Sequence, residues 1–241
     1  MADDPHPKPL ALRTRAEPMQ ARARVTRSKI LGATHRLLKE RGVHELTTVV
    51  IAEAAGLSVG AVYRLFPNKE SIVCRLYEEK LDEIRELGLA NRTGDPDQTH
   101  WRDFFRGYFM TLKAAERQVD FDFSLANAIL MLPALWEIDT LHGVRLADQV
   151  VADMQRFGSR WAPAALFDLA VNLYALDAST WACWRYSDRY PALAVARMIE
   201  AVLDMMRPAM EGEPEPPAEA LTISRESFIA GGRVQASLTV S

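Results

Sequence analysis

The segment Ala54-Ala55-Gly56-Leu57-Ser58-Val59-Gly60 constrains this chain more than any other part of its 241 residues. It predicts two short helices on either side of a tight turn. Thr47 is a good N-cap, Ile51, Ala52 and Ala55 recur at helical spacing, and Gly56 ends the first helix in a backbone conformation that a Cβ resists. Ser58 then caps a second helix. Gly60, in its first turn, is a poor helix former and suits a site where a side chain would obstruct a phosphate backbone. Tyr63, Arg64 and Lys69 follow, an aromatic and two cations of the kind that dock on DNA.

These residues resemble the N-terminal domain of the tetracycline repressor (TetR) family of transcriptional regulators. The resemblance starts near Thr26, where Ile30, Leu31, Ala33, Leu37, Leu38 and Gly42 match the family's first helix, and it runs to about Ile72. Leu-Thr-x-x-x-Ile-Ala, Ala-Gly-Leu-Ser, Gly-x-x-Tyr and Phe-x-x-Lys-Glu occur in order and at the family's spacing. The resemblance implies an all-α chain: an N-terminal three-helix helix-turn-helix DNA-binding domain and a C-terminal helical ligand-binding and dimerisation domain. It implies a homodimer on a double-stranded, inverted-repeat operator, more often a repressor than an activator, released by a small effector.

The resemblance assigns Tyr63 and Lys69 to the phosphate backbone, with Thr47 adding a hydroxyl and a backbone N–H at a helix start. Ser58, Val59, Gly60, Ala61 and Arg64 are then the candidates for facing the groove. Val59 and Ala61 replace residues that are commonly basic or hydroxylic in the family, and Leu65 stands where an aromatic or His is common. Base readout would therefore rest on methyl contacts to thymine and on Arg64. Val49 and Val50 replace a polar pair on the preceding helix, and the sequence leaves open whether they face DNA or the neighbouring domain.

Charge is divided along the chain in the sense a DNA binder needs. Residues 1–70 hold twelve Lys/Arg against seven Asp/Glu, a surplus of five positive charges, while the other seventeen basic and twenty-five acidic residues leave a deficit of eight. Such polarity orients a protein on a polyanion. Arg13, Arg15, Arg22, Arg24 and Arg27 precede the first matched helix, either as a solvated leader or as a DNA-contacting arm.

The pattern divides the chain into four parts. Residues 1–24 read as a disordered basic leader, 25–67 as the helix-turn-helix domain, 68–210 as the helical ligand-binding and dimerisation domain, and 211–241 as a disordered Pro/Glu-rich tail. Asn68 caps a fourth helix through Leu87. Further helices are expected at about Trp101–Arg117, Phe123–Leu132, Pro133–Arg160, Ala164–Ser187 and Pro191–Met210, with no strand-like alternation of any length.

The second domain is rich in aromatic residues at helical spacing, which either line a cavity or simply pack. Phe105, Phe109, Trp136, Tyr174, Asp177 and Trp181 are the candidate contacts for an apolar or aromatic small molecule. Asp177 lies in an apolar helical pattern and needs a partner, for which Arg145 or Arg185 is expected. Leu193, Met198, Ile199, Val202, Leu203 and Met206 form a stripe that either closes a four-helix dimer interface with the preceding helix or packs as the core of one subunit.

Catalytic chemistry finds no footing. The five histidines are scattered without metal-ligand spacing, and there is no Gly-rich phosphate loop or nucleophile turn. No cofactor, metal or catalytic residue is expected; His100 and His142 read as surface or helix-end residues. Cys74 and Cys183 read as reduced thiols. No apolar run approaches a membrane span and residues 1–24 lack the features of a signal peptide, so the expected location is cytoplasmic. The rival reading is a helical small-molecule binding protein whose helix-turn-helix is vestigial.

Overall fold

The computed structural model describes residues 16–90, 92, 94–181 and 192–216. Its elements are α1 (Ala16–Arg41), a 3-10 turn (Val43–Glu45), α2 (Thr48–Ala55), α3 (Val59–Tyr63), α4 (Lys69–Ala90), α5 (Trp101–Gln118), α6 (Phe123–Ala128), α7 (Ala134–Arg156), α8 (Pro163–Ser179) and α9 (Ala192–Met210). Among the described residues there is no strand. The expected all-α architecture is the observed one.

Several boundaries differ from the expected ones, each for a local reason. Helix α1 begins at Ala16, inside the segment read as a disordered leader. Ala16, Glu17, Gln20, Ala21 and Ala23 are good helix formers, and Pro18 lies in the first turn, where its missing N–H costs nothing. Helix α6 stops at Ala128, and Leu132 is the residue before Pro133, a position that disfavours helical backbone. Helix α7 ends at Arg156, two residues before Gly158, whose φ of 96° leaves the helical region. The expected disordered tail and the later part of the Ala164–Ser187 stretch lie mostly outside the described residues.

Two apolar cores hold the helices together. The first gathers Ile30, Leu38, Leu46, Ile51, Val62 and Phe66 of the helix-turn-helix with Ile72, Leu76, Tyr77, Leu81 and Ile84 of α4, and then with Phe121, Leu125 and Leu135. It crosses the expected boundary at residue 67 without a break, because α4 packs against both α1 and α7. The second core lies at the far end and contains Trp101, Phe104, Phe105, Phe109, Met154, Leu166, Leu173, Val202 and Met206.

The α9 stripe belongs to this second core. Met198, Ile199, Val202, Leu203 and Met206 are all buried within the subunit, and Leu193 is the member left exposed. The stripe read as a dimer face is therefore mainly intrasubunit packing, against α5 and α8. What remains outward on these helices is a smaller apolar set: Val171 on α8, with Leu193 and Met205 on α9.

Candidate nucleic-acid interface and interior chambers

The helix-turn-helix is built by local hydrogen bonds. Thr47 Oγ1 accepts from Val50 N at 3.1 Å, and Ser58 Oγ accepts from Ala61 N at 3.2 Å, so each hydroxyl satisfies one of the unpaired amides at a helix start. Gly56 sits between them at φ 66° and ψ 38°. Asn68 Oδ1 accepts from Ser71 N at 2.8 Å and opens α4, leaving Lys69 in its first turn.

Exposure sorts the expected DNA contacts. Ser58, Gly60, Tyr63 and Arg64 are exposed, Lys69 is half-buried, and a Cβ placed on Gly60 would meet nothing. Positions 60, 63 and 64 share one helical face. Ala61 does not share it, being buried, while Val59 is half-buried and packs partly against the core. Their side chains fasten α3 to the domain. Tyr63 is 53% exposed, and its hydroxyl lies 3.0 Å from Thr48 Oγ1, which fixes the phenol outward and adds Thr48 to this surface. The valine pair divides: Val49 is exposed and Val50 packs against the core.

In the second domain the structure brings Tyr174, Asp177 and Trp181 together and separates the other candidates. A chamber of about 130 Å³ is lined by Tyr77, Leu81 and Ile84 of α4, Leu112 and Glu116 of α5, Asp139, His142 and Leu146 of α7, and Tyr174 and Asp177 of α8, with Phe121 and Trp181. A larger cavity of about 950 Å³ shares Glu116, Phe121 and Trp181 as walls and adds Lys39, Arg106, Met110, Arg117, Phe123 and Ile199. Phe105 and Phe109 line neither, being buried in the second core. Trp136 is 60% exposed and donates its indole N–H to Ile129 O, on the outside of α7.

The polar lining of the smaller chamber was only partly anticipated. Asp177 pairs with Lys113 at 2.8 Å, in place of the expected arginine, and the same ammonium holds Glu116 at 2.8 Å. Arg145 lies instead 3.7 Å from Asp82, and Arg185 is outside the described residues. Asp139 Oδ1 accepts from the hydroxyls of Tyr77 and Tyr174, each at 2.9 Å, tying α4, α7 and α8 at one atom. Burial pushes all three of these groups up from their ordinary values. His142 is buried, contrary to a surface position, and burial lowers its imidazole to about 4, with Arg85 and Arg145 adding to the effect. His100 is exposed and caps α5, its Nδ1 accepting from Arg102 N.

One constellation has no counterpart in the sequence reading. His35 and Lys39 of α1 meet Asp120 and Asp122 at the corner between α5 and α6. Asp122 also caps α6, accepting from Ser124 N, and its carboxyl stands well below the usual range. Burial opposes that shift, and the hydrogen bonds from His35, Ser124 and Lys39 outweigh it. His35, Asp120 and Asp122 bring ligand atoms within 4.8 Å of one another, but the Lys39 ammonium bonds both carboxylates, so the cation at this corner is the lysine. Asp120 has φ 59°, closing α5 with its own N–H bonded to Arg117 O and Phe121 N–H bonded to Glu116 O. The available signals were a His on the buried face of α1 and an Asp directly before a helix.

Cys74 is a free, half-buried thiol pushed up by burial and by Glu70 and Glu78; Cys183 lies outside the described residues.

The family model described as "Bacterial regulatory proteins, tetR family" matches residues 30–76, the span holding the two caps, Gly56 and the start of α4. This N-terminal segment is similar to that of the TetR family. The chain is 36% identical over 77 residues to the HTH-type transcriptional regulator AcrR of Shigella flexneri, covering 31% of this chain and 36% of that protein. It is also 36% identical over 73 residues to the HTH-type transcriptional regulator TtgR of Pseudomonas putida, covering 30% and 35%. The chain thus matches about a third of the length of these curated relatives. Beyond the N-terminal domain the likeness is one of fold. A transcriptional regulator from Rhodococcus sp. Rha1 superposes with a TM-score of 0.59 at 18% identity, covering 79% of this chain and 99% of the other. No described helix of the chain is long and apolar enough to cross a membrane.

Proposed function

We propose that the chain is a homodimeric, ligand-responsive transcriptional repressor whose hold on an inverted-repeat operator weakens when a small molecule fills its interior chambers. The observation that carries this reading is the outward face of Gly60, Tyr63 and Arg64, set between the capped starts of α3 and α4 on the basic part of the chain. Tyr63, Thr47 and Lys69 hold phosphates, and Arg64 is the cation placed to reach a base edge.

Two elements can carry a signal from chamber to DNA. Helix α4 bears Lys69 at one end and the chamber residues Tyr77, Leu81 and Ile84 further along. Phe121 lines both cavities and lies between Asp120 and Asp122, which hold α1. Filling the chamber against Phe121 or Tyr77 therefore bears on both attachments of the helix-turn-helix. Dimerisation uses the outer faces of α8 and α9, through Val171, Leu193 and Met205. Such an arrangement sets two recognition helices a fixed distance apart.

The test is binding of the purified chain to DNA flanking its own gene, across a salt series. A specific complex whose affinity falls steeply with salt supports the reading. Its absence favours the rival, a helical binding protein with a vestigial helix-turn-helix.

A further inference from the structure

The smaller chamber contains a carboxylate with no cation. Asp139 receives two phenol hydroxyls, both on Oδ1, and among the described residues no hydrogen bond reaches Oδ2 and no lysine or arginine lies within ion-pair distance. The other acids of the chamber are already answered, because Lys113 bonds both Glu116 and Asp177. The nearest arginines do not fill the gap: Arg85 and Arg145 lie at the His142 side and share Asp82, at 3.4 and 3.7 Å.

One turn along α7, His142 is 5% exposed, lines the same chamber, and has a buried Nδ1 without a hydrogen-bond partner. Residues three apart on a helix share a face, so the free carboxylate oxygen and the orphan imidazole nitrogen serve the same space. Around them stand the rings of Tyr77, Phe121, Tyr174 and Trp181.

We propose that this chamber binds the ammonium head of a small aromatic or lipophilic amine, with Asp139 as its counter-ion, His142 Nδ1 as a second acceptor and the aromatic rings as its walls. This deepens the proposed function, since it names the chemical class of the effector. A half-buried carboxylate held only by neutral hydroxyls has one oxygen left for a charged partner. An ammonium supplies it, donating one N–H to Asp139 Oδ2 and another to His142 Nδ1, while the ring faces attract the positive charge. A carboxylate ligand would instead meet Asp139, Glu116 and Asp177, against a Lys113 already bonded to two of them and against Arg85 and Arg145, which already face Asp82. Burial raises the Asp139 carboxyl, and a bound cation would reverse that. The volume, about 130 Å³, is comparable to cavities that hold benzene.

Benzylammonium, benzyl alcohol and benzoate share one ring and differ in charge, and their binding to the full chain can be followed by tryptophan fluorescence and by thermal shift. The expected order has benzylammonium tightest. Asp139→Asn keeps an acceptor for both tyrosines, so it should melt near the parent while losing about tenfold or more in benzylammonium affinity, with benzyl alcohol little changed. His142→Phe should weaken benzylammonium selectively as well. Equal binding of the three probes, preference for benzoate, no binding of benzylammonium, or an Asp139→Asn chain with the parent's preference would each overturn the proposal.

Operator binding, measured in parallel, separates this inference from the reading beneath it. Benzylammonium bound through Asp139 without any change in operator affinity would uphold the ligand class and refute sensing. Release of the operator by benzoate in preference to the amine would uphold sensing and refute the ligand class.

Discussion

His35 Nε2 of α1 lies 3.2 Å from Asp122 Oδ2, the residue that caps α6. One carboxylate thus ends a helix of the second domain and holds the first helix of the DNA unit, with Lys39 bound to it from the next turn at 3.0 Å. Removing it is expected to act twice. Asp122→Ala should lower stability by about 1 to 2 kcal/mol through the lost cap, as read by urea unfolding. It should also reduce the change in operator affinity caused by an effector, as read by anisotropy with and without ligand. An effector response equal to the parent's would remove this corner from the coupling path.

The same carboxyl sets an acid dependence. Its value is depressed in the folded chain, so its stabilisation is complete above the unfolded carboxylate value of about 4 and is lost progressively as pH falls below it. Asp122→Asn should flatten the acid limb of the stability curve in that window. A curve that still parallels the parent's would assign the limb to other groups.

His142 gives a dependence at higher pH. Its folded value of about 4 lies below an unfolded value near 6.5, so the unfolded chain takes up the proton first and stability falls as pH drops from about 6.5 toward 4. Between about pH 7 and pH 5 the loss should be about 2 kcal/mol from this group. His142→Phe should remove that slope, measured by urea midpoints at the two pH values.

Asp120 occupies left-handed backbone that glycine adopts more easily, at φ 59°. Asp120→Gly relieves that backbone by up to about 1 kcal/mol and removes the Lys39 ion pair, whose exposed partner makes it worth about as little. Thermal stability should therefore stay nearly unchanged. Any loss in effector response would then report the ion pair itself rather than a damaged fold.

At the DNA face, Lys69→Ala should weaken all sequences alike and reduce the salt slope by about one. Arg64→Ala should instead cost about 1 to 3 kcal/mol at one operator position and relax the preference there. Selection on randomised operators reads both at once. Equal loss on all sequences for Arg64→Ala would move it to the phosphates.

The helix-turn-helix was legible because its determinants are local: Thr47, Gly56, Ser58 and Asn68 each act within a few residues of themselves. The chambers were less legible because their polar walls are assembled from distant segments, as with Lys113 and Asp177 or Tyr77 and Asp139. Aromatic residues at helical spacing misled in a specific way. Phe105 and Phe109 recur on one face because that face fills the distal core, while Trp136, equally aromatic, is outside. Ala61 and Val59 follow the same logic, since a five-residue helix must spend part of its short surface on attachment.

Helix α4 runs unbroken for 22 residues from the DNA face past the chamber wall. Lys69 and Tyr77 are eight residues apart on it, about 12 Å of axial rise, and their separation is fixed by backbone hydrogen bonds. In the proposed mechanism the helix acts as a lever arm, with the Tyr77–Asp139 bond near its fulcrum. A tilt of roughly 10° about that point would carry Lys69 sideways by about 2 Å. In a symmetric pair both arms would swing together, and the spacing between the two reading heads would change by up to about twice that displacement, a mismatch with the fixed pitch of a DNA duplex.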